Sequence, residues 1–170
     1  DLGADLAVFS GGKDLRGPQA SGLIVGRAAL IAACAEHGAP YQRLGRPMKV
    51  GKEEMVGLLA AVELYLQQDH AARIAGFEQI VADWVRALAA CPGVSARRDF
   101  PNEAGQPVPR VYVEFDPATA GISAEEVWHE LWTGEPAIAA ARGGETGIYL
   151  TPDTLEPGEE QIIAARLLDI

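Results

Sequence analysis

The sequence predicts an α/β chain in three stretches: strand, loop, strand and helix over residues 1–50, a long helical run over 51–90, and a small α+β unit over 91–170. Three observations carry this. Short apolar runs of strand length flank glycine-rich turns at both ends of the chain. Apolar residues recur at helical spacing from Met55 to Leu88. After Cys91-Pro92-Gly93 the pattern becomes strand, helix, strand, strand, helix, which suits a small sandwich with its helices on one face.

Each element has a local reason. Leu6–Phe9 is short, apolar and followed by glycines, so it reads as a buried strand ending in a loop. Ser21–Val25 reads as a second strand, entered from a Gly-Pro turn, and the pair suits the edge of an α/β sheet. Residues 27–36 read as a helix ended by Gly38 and Pro40. Residues 39–50 are loop-like and gather Arg43, Arg46 and Lys49, either a solvated basic loop or an anion site. The run 51–90 is too long for one ordinary globular helix, so two helices or one long kinked helix are expected, crossing from one domain to another. Arg110–Phe115 alternates like a strand. Ser123 and Glu126 have capping-box spacing at the start of a helix that reaches Trp132. Ala137–Ala141 and Thr146–Leu150 read as strands around Gly143-Gly144, and Pro157–Leu168 as a final helix.

Composition bounds the function. The chain is 48% hydrophobic and 22% charged, a soluble globular balance. A net charge of -10 lowers the expectation of nucleic-acid binding. No apolar stretch has the length of a membrane span, and no signal-peptide pattern opens the chain. Cys34 and Cys91 lack a C-x-x-C spacing and read as reduced thiols of a cytoplasmic protein, with a disulfide pair the lesser alternative. His37, His70 and His129 are too scattered for a metal site or a triad. Trp84, Trp128 and Trp132 sit on apolar helix faces and read as core, and Asp69-His70 as a solvated helix face. The chain opens at Asp1 with strand-like sequence at once, which is expected of a trimmed or partial chain.

The stretch Ser10-Gly11-Gly12-Lys13 raises the chemical question. A phosphate loop of the Walker type needs glycine where Ala7 stands and Ser or Thr where Asp14 stands, so that reading is set aside. Two readings remain: a surface turn with a solvated lysine, and a lysine that does covalent chemistry. The position after a strand is where α/β folds place ligands. Gly11 and Gly12 allow close backbone approach, and the Ser10 hydroxyl stands three residues before the amine. A hydroxyl, amide donors and a lysine suit pyridoxal phosphate.

The stretch "GADLAVFSGGKDLRGPQASGLIVGR" resembles the cofactor-lysine segment of the bacterial selenocysteine synthase-like family, a branch of the fold-type-I pyridoxal-phosphate enzymes that includes ammonia-lyase-like proteins acting on amino sugar acids. The shared pattern is Gly-Ala-Asp, an apolar strand, Ser-Gly-x-Lys, Gly-Pro-Gln and a strand ending in Val-Gly. "LGRPMKVGKEEM" and "PGEEQIIAARLL" are similar to the family's basic stretch and last helix. The resemblance implies the end of a fold-type-I large domain, a connecting helix and a small C-terminal domain, with further active-site groups upstream of Asp1. It implies that Lys13 carries pyridoxal 5'-phosphate as a Schiff base, with Ser10, Gly11, Gly12 and Gln19 around the cofactor and Gly17-Pro18-Gln19 near a subunit interface. Arg46 falls where the family has an arginine for an anionic substrate group. Lys49 falls where selenocysteine synthases tend to have a second arginine, and it lacks the bidentate fork. Arg142 is a further candidate for a substrate carboxylate, with a plain surface arginine as the competing reading. Asp5 reads as structural.

The expected function is therefore a cytoplasmic, homo-oligomeric pyridoxal-phosphate lyase or transferase acting on an amino acid or amino sugar acid. Lys13, once released by transaldimination, would be the base in α-deprotonation, and loss of a β-substituent or water would leave an enamine that hydrolyses to a keto acid and ammonia. Selenocysteine synthase acting on seryl-tRNA is the alternative within the family, set lower because the acidic chain offers no tRNA footprint. A non-catalytic interaction subunit that keeps the fold is the alternative from another class.

Overall fold

A computed structural model describes residues 3–170. The chain divides into two compact units, one ending at Gln68 and one running Asp69–Ile170. The division falls inside the long helical stretch.

In unit 1, β1 (Leu6–Ser10) and β2 (Gly22–Gly26) form an antiparallel pair, with Leu6 opposite Gly26 and Ser10 opposite Gly22. Helix α1 (Ala28–His37), a 3-10 turn (Arg46–Met48) and helix α2 (Lys52–Gln67) follow. The expected burial of the first strand does not occur: Val8 is 73% exposed and Phe9 48%. A two-stranded ribbon cannot enclose its own faces, and α1 buries no residue. Helix α2 buries only Leu58 and Ala61.

Two helices, rather than one kinked helix, span the long stretch. Gln68 is extended, and the Asp69 side chain accepts the Ala72 N–H at 2.9 Å to open α3 (His70–Leu88). Asp69 is thus a helix cap, not part of a solvated helix face.

Unit 2 holds the core. After α3 come β3 (Val94–Asp99), β4 (Arg110–Phe115), the short α4 (Pro117–Ala120), α5 (Ala124–Thr133), β5 (Ala141–Arg142), β6 (Gly147–Leu150) and α6 (Glu159–Asp169). The sheet is antiparallel in the order β3-β4-β6-β5. Because side chains alternate along a strand, Val111, Val113 and Phe115 of β4 point with Ile148 and Leu150 of β6 into one core. Val81, Trp84 and Leu88 of α3, Val127 and Leu131 of α5, and Ile163 and Leu167 of α6 close it. The helices lie on one face, as the pattern predicts. On the other face Tyr112 and Tyr149 meet with ring centroids 5.1 Å apart. Arg110 spans Asp99 at 2.8 Å and Glu103 at 2.7 Å. A Cβ at Gly143 would fall 2.6 Å from the Tyr112 ring, so the β5–β6 turn needs glycine there.

Three local expectations are corrected. β3 is a strand the pattern did not announce. Residues 137–140 are not a strand, and β5 is only Ala141–Arg142. The Ile138 N–H donates to Leu131 O at 2.7 Å and the Ala140 carbonyl accepts Trp128 Nε1 at 2.8 Å, so this segment is tied to α5 rather than to the sheet. Trp84 is buried and Trp128 packs, half-buried, against the core, but Trp132 is 54% exposed and stacks on the Trp128 ring. Both cysteines are free thiols.

Candidate functional site

The loop between β1 and β2 is closed by its own backbone. The Gly11 N–H donates to Ser21 O at 2.9 Å, and the Gly17 N–H donates to Gly11 O at 2.8 Å. The Arg16 N–H donates to Lys13 O at 2.7 Å from a left-handed Arg16, φ 54°. Gln19 Nε2 donates to Gly12 O at 3.0 Å, and Ser21 Oγ donates to Pro18 O at 2.6 Å. Gly11 and Gly12 are required by proximity. A Cβ on Gly12 would sit 2.7 Å from Gln19 Cα, and one on Gly11 would collide with Ser21 Oγ.

Lys13 stands on this braced turn with an exposed side chain that makes no ion pair among the described residues. Ser10 is exposed at the end of β1. Both backbone groups of Gly11 are used in closing the loop, so Gly11 shapes the site and does not offer a free donor. Gln19 likewise spends its amide nitrogen on Gly12. The donor set fits pyridoxal phosphate: a free primary amine and a neighbouring hydroxyl, on a loop whose glycines let Ser21 and Gln19 pack against it. Asp5 pairs with Arg27 at 2.9 Å, a structural tie.

The basic stretch is anchored on α1 by the Gly45 N–H, which donates to His37 O at 2.8 Å. Arg43 is paired with Glu36 at 3.1 Å. Arg46 opens the 3-10 turn, and its Nε is buried without a partner among the described residues, as is Glu54 Oε2. An unsatisfied buried donor costs about 1–3 kcal/mol, so Arg46 is poised for an acceptor from outside the described set. Lys49 ends the turn and is exposed.

Arg142 belongs to unit 2. Its guanidinium grips both carboxylate oxygens of Glu125, one at 2.8 Å and the other closer, and lies 4.2 Å over the Trp128 ring. A shallow cleft of about 300 Å³ lies beside it, lined by Trp128, Glu125 and Glu145 among others. A substrate carboxylate would have to displace Glu125. The structure thus gathers Ser10, Gly11, Gly12, Lys13 and Gln19 into one loop, places Arg46 and Lys49 on one turn of the same unit, and commits Arg142 to a carboxylate of its own unit. Sequence reasoning missed Glu125, which is 17 residues from its partner. It also missed Leu58 and Ala61 of α2, which lie beside Gly11 and Gly17 of the lysine loop. Among the described residues no three His, Cys, Asp or Glu side chains gather as metal ligands, and no helix is long and apolar enough to cross a membrane.

Residues 1–88 match the family model described as L-seryl-tRNA selenium transferase. The chain is 37% identical over 172 residues to a 5'-C-glycyluridine monooxygenase-decarboxylase of a Streptomyces species, covering 99% of this chain and 41% of that protein. It is 36% identical over 170 residues to the D-glucosaminate-6-phosphate ammonia lyase of Salmonella typhimurium, covering 99% of this chain and 44% of that protein. A solved structure of a D-glucosaminate-6-phosphate ammonia-lyase superposes with a TM-score of 0.69 at 36% identity, over 98% of this chain and 43% of that one. The chain thus spans about two fifths of the length of these relatives. The expectation against nucleic acid gains no support here, because the matching family is described by an action on seryl-tRNA.

Proposed function

The chain belongs to the L-seryl-tRNA selenium transferase family, and from that membership we propose that it carries the cofactor lysine of a pyridoxal-phosphate-dependent lyase or transferase. The substrate is an amino acid or amino sugar acid bearing a second anionic group, and the working protein is at least a homodimer. The observation that carries this reading is Lys13, an exposed amine on a loop pinned at Gly11, Gly12 and Gly17.

Pyridoxal phosphate held through the Lys13 amine supplies the electron sink that lets a bond at the substrate α-carbon break. The chain's own residues do the rest. Lys13 Nζ, once the substrate amine has taken its place on the cofactor and released it, would take the α-proton. The Ser10 hydroxyl would donate to the cofactor phosphate, and Gly12, packed against Gln19, would keep the loop in shape beside it. Gly11, Gly17 and Gln19 keep the loop closed, so the amine is held in place rather than searching for its position. Arg46 and Lys49 receive the substrate's anionic group. An ammonia-lyase type of reaction is favoured by the 36% identity to such an enzyme along nearly the whole chain. The monooxygenase-decarboxylase, 37% identical over the same share of the chain, keeps the reaction class open to the experiment.

The test is reduction with borohydride after loading with pyridoxal phosphate, followed by peptide mapping. The chain has only Lys13, Lys49 and Lys52 as lysines. Label at Lys13 is the expected result. Label at Lys49 or Lys52, or no label, overturns the assignment, and no label favours a non-catalytic member of the fold. The second reading, action on seryl-tRNA, is favoured by the family's description. It requires tRNA binding that weakens steeply with salt, and its absence at low salt removes that reading.

A further inference from the structure

Helix α2 buries two side chains, Leu58 and Ala61, while Met55, Val56, Leu59, Leu64 and Leu66 of the same helix are all more than half exposed. The buried pair lies against the lysine loop. A Cβ at Gly11 would be 3.0 Å from Leu58 Cδ1, and a Cβ at Gly17 would be 3.3 Å from both Ala61 Cβ and Leu58 Cδ1. Next to Leu58 on the chain, Gly57 faces the Pro18 ring, where a Cβ would fall 2.7 Å from Pro18 Cγ and 3.1 Å from Cδ. The proline ring cannot rotate out of the way as a long side chain would. Any residue larger than glycine at 57 therefore displaces either α2 or the loop. Two of the loop's three glycines and its proline meet positions i, i+1 and i+4 of α2, which lie within about 100° of one another around the helix axis.

From these contacts we infer that the Gly57-Leu58-Ala61 face of α2 is the seat of the Lys13 loop, and that Gly57 is a positioning residue for the Lys13 amine. The inference rests on the reading of Lys13 as the cofactor lysine. Its physical content is that the loop's hydrogen bonds, Gly11 N–H to Ser21 O and Gly17 N–H to Gly11 O, are kept only while no side chain at position 57 pushes against the Pro18 ring.

The experiment compares the full protein with Gly57→Ala, Pro18→Ala, the double variant, and Gly76→Ala as a control. Gly76 lies on α3, and a Cβ there meets nothing within 4 Å. Two readouts are taken. One is deuterium uptake of the peptide spanning residues 9–21 in cofactor-free protein. The other is the pyridoxal phosphate concentration giving half-maximal borohydride fixation at Lys13. Gly57→Ala should raise uptake in that peptide and raise the half-maximal concentration at least fivefold. Pro18→Ala removes the ring atoms that Gly57 abuts, so the double variant should return both readouts to those of Pro18→Ala alone. Gly76→Ala should change neither. The seat is overturned if Gly57→Ala matches the parent in uptake, or if the double variant is no better than Gly57→Ala. If the parent itself fixes no cofactor at Lys13, the proposed function fails, and the uptake measurement still decides the seat.

Discussion

Arg46 has a buried Nε with no partner among the described residues, on a turn whose neighbour Arg43 is already satisfied by Glu36. That asymmetry separates two arginines that look alike in sequence. A charge-assisted hydrogen bond to a substrate anion contributes about 1.5–3 kcal/mol. Arg46→Ala should therefore lower kcat/KM by about ten- to a hundredfold. Lys49→Ala should lower it less, because an ammonium cannot form two parallel bonds to a carboxylate or phosphate. Borohydride fixation at Lys13 should survive both changes, and steady-state kinetics beside cofactor titration makes the check. Release of the cofactor by Arg46→Ala would reassign the residue to the cofactor phosphate. At this scale the sequence was informative where chemistry is local. Ser10 to Lys13 lie together on the chain, and the turn that holds them can be read from Gly-Gly and Gly-Pro. It was silent where partners are remote. Nothing in the letters around Arg142 names Glu125, and nothing around Gly57 names Pro18, because those approaches exist only after the chain has folded.

Elements whose reasons are written in a few adjacent residues were legible, and α5 is the clearest. Ser123 accepts the Glu126 N–H at 3.3 Å, while the Glu126 carboxylate accepts the Ser123 hydroxyl at 2.6 Å and the Ser123 N–H at 2.9 Å. The Ser123 hydroxyl, and then its backbone N–H, hold the Glu126 carboxyl below its ordinary value of 4.5. A carboxyl whose pKa is depressed by folding favours the folded state above its unfolded value and loses that effect as pH falls through the folded one. Ser123→Ala should cost about 1 kcal/mol near neutral pH, a Tm drop of about 4–8 °C. The gap between parent and variant should narrow as pH falls below 4.5. Thermal melts near pH 7 and near pH 3 test this, and a gap that is constant with pH would remove Glu126 from the account. β3 was missed because it is an edge strand with Arg97, Arg98 and Asp99 in its second half. Charge on an edge guards against pairing with other chains, and it hides the apolar alternation that marks a strand. The run Ala137–Ala141 misled for the opposite reason. It is apolar and strand-like, but Trp128 and Leu131 of α5 take up its backbone groups first.

The whole molecule distributes its burial unevenly. Every side chain of the continuous core, from Val81 to Leu167, lies in unit 2, whereas among the described residues the buried hydrophobic side chains of unit 1 are Leu58 and Ala61. Unit 2 therefore has what a domain needs to fold alone, and α3 is part of it. Sequence grammar changes at Cys91, and from composition alone a boundary there is reasonable. The packing places the division at Asp69 instead, because Val81, Trp84 and Leu88 fill the sheet's inner face and Trp84 Nε1 donates to Glu160 O of α6 at 2.8 Å. Removing a large buried side chain typically costs about 2–5 kcal/mol, and a whole domain is stable by only about 5–15 kcal/mol. Losing all three with their helix, about 6–15 kcal/mol, is as large as that whole margin. A fragment of residues 69–170 should thus melt in one cooperative transition, followed by circular dichroism. A fragment of residues 91–170 should show no transition and should bind a hydrophobic dye, since the inner face of β4 and β6 is left open. Cooperative melting of the shorter fragment at the same temperature would show that α3 is a connector after all, and that the core closes without it.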